Sequence, residues 1–123
     1  SSDLDFNDYY VWDALDYRPR LVVMEYNASI PPDESRVVKY EPTRVWDGSN
    51  YFGASLLALA RLNQKKGYSL VYCESQGVNA FFVRDDCLTE NLLPMTVEEA
   101  YQTPKYGSNN GGHAQSSETM IVV

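Results

Sequence analysis

The chain has 123 residues, 44% of them hydrophobic, and a formal net charge of −7, which fits one domain with a modest core. The acidic balance argues against a nucleic-acid partner, because phosphate contacts require clustered basic residues and the only adjacent basic pair is Lys65–Lys66. No apolar run is long enough to cross a bilayer, and the first ten residues lack the basic and apolar regions of a signal peptide.

In chain order, the first predicted elements are a strand stub that ends near Asp5 and a short helix at residues 8–15. The clearest strand is RLVVMEYN, residues 20–27, where four consecutive apolar residues indicate a central strand covered on both faces. The connection that follows is polar and irregular up to Asn50, with VVKY as a possible short strand. Connections of this length often carry function.

The clearest helix is YFGASLLALARLNQKKG, residues 51–67, because its leucines follow helical spacing. Ser49 or Asn50 is suited to cap its start, and Gly67 is suited to its C-terminal cap. We therefore expect this helix to follow the long connection directly.

Two strands come next, YSLVYCE at residues 68–74 and NAFFVR at residues 79–84, and the short link between them predicts an antiparallel hairpin. This pairing places Cys73 opposite a residue near Ala80 and leaves Cys87 beyond the hairpin. We therefore expect no disulfide between the two cysteines. Unpaired cysteines are typical of a reducing compartment, so we expect an intracellular location in the cytoplasm or an organelle interior.

The C-terminal part begins with DDCLTENL and TVEEAY, which are typical of short helical turns. The remainder is rich in Gly, Ser and Asn, which predicts an extended arm at residues 94–123 after a body at residues 1–93. The last four residues, MIVV, are apolar and suited to join the sheet edge of a partner.

The order of strand, helix, strand, helix and strand predicts the α/β class, with a parallel sheet and an antiparallel edge. The sequence contains neither a G-x-G-x-x-G nor a G-x-x-x-x-G-K-[ST] motif. The GSNNGG stretch follows no predicted strand, which favours a flexible spacer over a phosphate-binding loop.

Polar side chains follow three elements where ligands bind in open α/β sheets, outside the carboxyl ends of strands. The catalytic candidates are Asp5, Asp8 and Glu25, and the substrate-rim candidates are Asn7, Asn27, Tyr51, Gly53 and Ser55. Carboxylates and amides that converge there can orient a hydroxyl or accept a proton. The alternative is structural, in which Asp8 or Asn7 caps the short helix and Glu25 pairs with an arginine. For Glu25 the functional interpretation is favoured, because a charge that ends an apolar strand is costly to bury.

Other chemistry is disfavoured by the residue types present. The only histidine, His113, lies in the predicted arm, and no C-x-x-C occurs, so no zinc site is predicted. The DYYVW stretch is predicted to pack Val11 and Trp12 inward, and the alternative is an aromatic interface patch.

Four segments, DLDFNDYYVWDAL, RLVVMEYNASIPP, YFGASLLALARLNQKKGYSLV and NAFFVRDDCL, together resemble the C-terminal half of FkbM-like S-adenosylmethionine-dependent methyltransferases. The corresponding family pattern is D-I-D-G-N-D-Y, E-Y-N, Y-x-G-A-S and N-A-F-F-V, and the resemblance covers about residues 3–90. It implies part of a class I methyltransferase sheet, which is Rossmann-like and ends in an antiparallel hairpin. It also implies that the Asn27-Ala28-Ser29 sequon is a chance match.

The resemblance assigns residues to the methyl-transfer cleft by position. The acidic motif corresponds to Asp3, Asp5, Asn7 and Asp8, the E-Y-N motif to Glu25 and Asn27, and the helix-start motif to Gly53, Ala54 and Ser55. Phe6 departs from the pattern, because the family has glycine there. The glycine-rich cofactor loop of the family is expected before residue 1, so we expect no cofactor for this chain alone and S-adenosylmethionine only with the missing N-terminal half.

The sequence therefore supports two alternative functions. The first is a non-catalytic, methyltransferase-like accessory or structural subunit of a larger assembly, with a protein partner that covers the edge of the first strand. The second is the C-terminal part of an active FkbM-like methyltransferase. The missing cofactor half, Phe6 and the arm favour the first.

Overall fold

A computed structural model describes residues 8–40, 49, 52–105, 112 and 119–123. Three helices, five strands and one short 3-10 turn are formed by these residues. In chain order they are α1 (Asp8–Ala14), β1 (Leu21–Glu25), β2 (Arg36–Val37), α2 (Leu56–Lys65), β3 (Tyr68–Cys73), β4 (Asn79–Arg84), the 3-10 turn (Asp85–Cys87), α3 (Val97–Ala100) and β5 (Ile121–Val122). The fold is mixed α/β with small antiparallel sheets.

The larger sheet has the strand order β1-β4-β3, and β4 pairs antiparallel with both neighbours. The hairpin β3–β4 is confirmed, and Cys73 lies opposite Ala80 as predicted. The expected parallel pairing is wrong for the described strands, since β1 and β3 run in the same direction but β4 lies between them. The returning strand of the hairpin separates them, because it pairs on its second side with β1.

The hydrophobic core lies between one face of this sheet and the helices. Alternate residues of each strand point into it, including Met24 from β1, Phe82 from β4 and Leu70 from β3. Helix α2 supplies Leu59 and other apolar residues at helical spacing. The core is therefore one layer between sheet and helix, with the second sheet face outside it.

Helix α2 begins later than predicted. It covers Leu56–Lys65, and its N-cap is Ser55 rather than Ser49 or Asn50. The preceding residues are not helical, because Gly53 has a left-handed φ of +58° and Ala54 forms a β-bridge with Val37. Gly67, with a φ of +87°, follows the helix as predicted.

Helix α1 connects to this core through a buried polar contact that joins α1 to α2. The indole Nε1 of Trp12 donates to the Asn63 side-chain oxygen at 2.9 Å, and the Asn63 amide donates to the Leu59 carbonyl oxygen at 2.9 Å. Trp12 is buried as predicted, whereas Val11 is only half-buried. The predicted short turns are confirmed in part by α3 and by the 3-10 turn.

Residues beyond 93 contact the body of the fold. The Met95 N–H donates to the Leu70 carbonyl, and helix α3 contacts both β3 and α2. Strand β5, which includes part of the MIVV segment, pairs antiparallel with β2 of the same chain. His113 and the GSNN residues lie outside the described part of the chain.

A pair of neighbouring phenylalanines tests the one-sided core. Phe82 is fully buried in the core, whereas Phe81 points to the opposite sheet face and is half-buried. We expect Phe82→Ala to lower the free energy of unfolding by about 3–5 kcal/mol in urea titrations. The matched change Phe81→Ala is expected to cost at most about 1.5 kcal/mol. Equal losses in the two variants would contradict the assignment of the core to one face.

Candidate functional site

The predicted rim residues fall into three groups. The first group, Asp5, Asn7 and Tyr51, lies outside the described residues, together with the strand stub and Phe6. Asp8 is the first residue of α1, and Glu25 is the last residue of β1 and is exposed. The structure brings together the third group, Asn27, Gly53 and Ser55, at the carboxyl end of β1.

Asn27 is fully buried and joins β1 to the segment that precedes α2. Its backbone N–H donates to the Ala54 carbonyl at 2.8 Å, and its side-chain amide donates to the Phe52 carbonyl at 3.0 Å. Its side-chain oxygen accepts from the Ser29 N–H at 3.0 Å. Because this side chain is 0% exposed, the Asn27-Ala28-Ser29 sequon is inaccessible to modification in the folded chain.

Residues 53–55 form the next link and connect this end of β1 to β2. The Val38 N–H donates to the Gly53 carbonyl at 2.9 Å, and the Ser55 N–H donates to the Arg36 carbonyl at 2.8 Å. The left-handed φ of Gly53 allows the chain to make this close approach. We call Asn27 and residues 52–55 the rim junction.

The Ser55 hydroxyl completes the rim junction, because one oxygen serves two elements. It accepts from the Ala58 N–H at 3.1 Å as the N-cap of α2 and from the Arg36 N–H at 3.0 Å. Ser55 is 0% exposed. Its hydroxyl is thus occupied by backbone donors, in the manner of a helix cap.

The underside of the rim junction is covered by residues 101–102. The Tyr26 hydroxyl donates to the Gln102 carbonyl at 3.0 Å and accepts from the Gln102 N–H at 3.1 Å. The Tyr101 hydroxyl donates to the Ala28 carbonyl. Burial raises the pKa of both tyrosines, most strongly for Tyr26, so both are neutral hydrogen-bonding groups at physiological pH.

The buried thiol of Cys73 lies next to Tyr26 in the core. Burial raises its pKa to about 12, which keeps it protonated at neutral pH and unreactive as a nucleophile. Both Cys73 and Cys87 are free thiols, which agrees with the prediction that they form no disulfide.

These contacts limit what the described part of the rim can do chemically. Asn27, Gly53 and Ser55 are buried and bonded to backbone groups, whereas Glu25 is the exposed member. The described residues contain no group of three His, Cys, Asp or Glu side chains placed to hold a metal ion. A role of the rim residues in substrate binding therefore stays a prediction. In the structure, these residues hold β1, β2 and α2 together.

The second face of the sheet is a surface that the sequence reasoning missed. Leu21, Val23, Phe81, Val83 and Tyr72 lie on this face in direct cross-strand register, and we call it the outer face. Four of the five lie outside the buried core, whereas Val83 is itself buried. The Tyr72 and Phe81 rings are in contact, with 5.7 Å between their centroids. The signal in the sequence was the unbroken apolar run of β1. The prediction of a central strand covered on both faces is wrong for the described sheet, because β1 lies at its edge and Leu21 is exposed.

The edge of β1 continues this surface. Residues 22 and 24 bond to β4, so the N–H and C=O groups of Leu21 and Val23 point away from the sheet. In the described ranges, no residue bonds these four groups. Leu21 is 51% exposed and Tyr72 is 53% exposed. An apolar face beside an unpaired strand edge is typical of a protein–protein interaction site.

The rim junction can be tested by removing its amide. Asn27→Ala removes the hydrogen bonds to the Phe52 carbonyl and the Ser29 N–H at a fully buried position, so we expect it to lower the free energy of unfolding by about 1–3 kcal/mol. The exposed Asn91 provides the control, and Asn91→Ala is expected to change stability by less than about 0.5 kcal/mol. Wild-type stability in the Asn27 variant would show that the junction does not hold the fold. Chemical denaturation followed by circular dichroism measures both.

None of the helices in the described ranges has the length and apolar character that a bilayer span needs. Comparisons with protein-family models, with curated proteins and with solved structures found no match to this chain. The FkbM-like resemblance therefore stays a prediction made from its four sequence segments.

Proposed function

We propose that this chain is a non-catalytic, methyltransferase-like accessory or structural subunit that docks a protein partner on its outer face and along the edge of β1. The observation that carries the proposal is the one-sided core. One face of the sheet is buried by helices, whereas the other presents four apolar residues outside the core, Leu21, Val23, Tyr72 and Phe81. Sheets with helices on both faces are the usual solution for strands as apolar as β1.

The partner that fits this surface has an apolar centre and a basic rim. The chain carries a net charge of −7, and exposed Glu25 lies at the end of the outer face, opposite Asn79 of β4. Charge complementarity favours a cationic partner and disfavours a second acidic copy on the same face. The two free cysteines fit an intracellular, reducing compartment for this assembly.

The methyltransferase-like part of the proposal rests on the sequence resemblance and is supported by the strand arrangement. An α-helix connects two strands that run in the same direction, β1 and β3, and the sheet ends in the antiparallel hairpin that the resemblance implies. The non-catalytic part rests on the rim junction, whose polar groups bond to the backbone. We accordingly propose no cofactor for the chain alone.

The alternative function is the C-terminal part of an active FkbM-like methyltransferase, with S-adenosylmethionine held by a separate N-terminal half. The outer face favours this alternative as well, because the missing half would be the protein that covers it. The two functions differ in whether Glu25 and the candidates outside the described residues contact a substrate.

Calorimetric titration with S-adenosylhomocysteine tests whether the chain binds this ligand without a separate N-terminal half. We expect no saturable heat with ligand up to about 1 mM, because the described rim residues are buried and bonded. Dissociation constants in the micromolar range would overturn the non-catalytic proposal. A class I methyltransferase that binds the same ligand serves as the positive control for the titration.

The outer face is tested by adding charge to it. We expect the double variant Leu21→Lys and Tyr72→Lys to lower, several-fold, the fluorescence of Nile red, a neutral dye that binds exposed apolar surface, because it breaks an exposed apolar patch. The control changes the same two residue types elsewhere, as Leu93→Lys and Tyr17→Lys, which are 65% and 71% exposed. Both double variants change the net charge equally. An equal effect of the two pairs would count against the outer face as a docking surface.

A further inference from the structure

Strand β5 is held on the edge of β2 by contacts to its backbone. The Val123 N–H donates to the Ser35 carbonyl at 3.0 Å, and Val37 lies opposite Ile121. The other edge of β2 is already occupied, because Arg36 bonds to Ser55 through both its N–H and its C=O. The β2 edge that faces β5 is therefore a place where one extended strand can be added.

Two arginines extend this edge. The Arg61 guanidinium donates to the Val123 carbonyl at 3.1 Å, and the Arg36 guanidinium is 3.4 Å from the Met120 carbonyl. Glu34 fixes the Arg36 side chain through a 2.8 Å ion pair. We call residues 34–37 and Arg61 the strand seat. Its polar groups bind main-chain atoms, so the seat recognises an extended backbone more than particular side chains.

The side chains of the resident strand contribute little to its attachment. Ile121 is 44% exposed, Val122 is 70% exposed and Val123 is 39% exposed. Met120 is the residue of this segment that packs against the core. A strand held by few buried apolar contacts opens at low free-energy cost.

The strand seat is also incompletely filled by its resident strand. A cavity of about 280 Å³ lies between Asp33, Leu57, Arg61 and Val122. Ser35 lines the same cavity, is 7% exposed, and its hydroxyl oxygen is buried without a hydrogen-bond partner. A buried hydroxyl without a partner costs free energy, so the strand is held in the seat less stably than it would be with every polar group bonded.

The segment that leads to β5 limits the distance over which this strand can be exchanged. Gly112 is in contact range of Ser29 and Pro104 on the body, and the segment from 112 to 119 covers seven residue steps. Seven steps extend over at most about 25 Å. An identical element that is exchanged between protomers is a low-cost route to dimers.

We propose that the strand seat takes the C-terminal strand, residues 119–123, of a second copy of this chain, so that two copies exchange their β5 strands. The inference is independent of the outer face and of the proposed function, because it uses a different strand edge. The exchange preserves every main-chain contact of the seat, since both copies present the same strand. Its concentration dependence follows from competition with the strand of the same chain, whose effective concentration is on the order of millimolar.

Cysteine trapping in the full chain tests the exchange. Arg36 and Val122 lie opposite each other in a pair without mutual backbone hydrogen bonds, in which side chains approach most closely. The variants Arg36→Cys and Val122→Cys are prepared separately, each with Cys87→Ser, and are mixed from about 10 µM to about 1 mM under mild oxidation. We expect a disulfide-linked dimer of the two variants that increases with concentration.

The control mixture replaces Arg36→Cys with Leu93→Cys, an exposed position outside the strand seat. We expect the Arg36 and Val122 mixture to give at least about ten-fold more linked dimer than this control near 1 mM. The double variant Arg36→Cys/Val122→Cys reports the register within one chain and should close an internal disulfide at high dilution. Circular dichroism confirms that each variant is folded.

Two outcomes would overturn the proposal. In the first, the double variant closes its internal disulfide while the mixture gives no more dimer than the control, which shows that the strand stays on its own chain. In the second, neither forms, which shows that the strand seat itself does not exist. Light scattering of the unmodified chain provides a second measurement, and a strict monomer up to about 1 mM would also contradict the exchange.

Discussion

The buried amide of Asn27 is the interaction on which the arrangement of the chain depends. It joins the end of β1 to Phe52, and its own N–H joins Ala54. From Ala54 the same series of backbone bonds continues through Ser55 to β2, and from β2 to β5. A fully buried amide with donor and acceptor both satisfied is stabilising, whereas one with a missing partner is costly. The polar residues at this end of the sheet therefore have a structural role, which is to hold the strands and α2 together.

The elements with strong local signals could be predicted from the sequence. The apolar run of β1, the leucine spacing of α2 and the short link of the hairpin each correspond to the observed element, because burial and turn chemistry act locally. The register of Cys73 with Ala80 followed from the hairpin alone. The convergence of Asn27 with residues 53–55 was also predicted, from the rule that ligands bind at strand ends.

The start of α2 and the strand pairing could not be predicted, because both depend on distant residues. Ser55 becomes the N-cap only because Arg36 and Ala54 bring the preceding residues into a non-helical path. Helical spacing alone favoured an earlier start, since Phe52 continues the apolar pattern of α2. Likewise, β4 lies beside β1 through tertiary packing, which no local signal specifies.

The two proposed surfaces, the outer face and the strand seat, each lie at the edge of a β-strand. The chain covers the β3 edge in part with Met95, whose N–H bonds the Leu70 carbonyl, and it covers the β2 edge with β5. Within the residues described, the β1 edge has no comparable cover, although it borders the apolar outer face. Unpaired edges promote unwanted association, so proteins usually block them with their own chain or with a partner. Because the described residues cover two edges and leave the third beside an apolar face, the β1 edge is where we propose a partner.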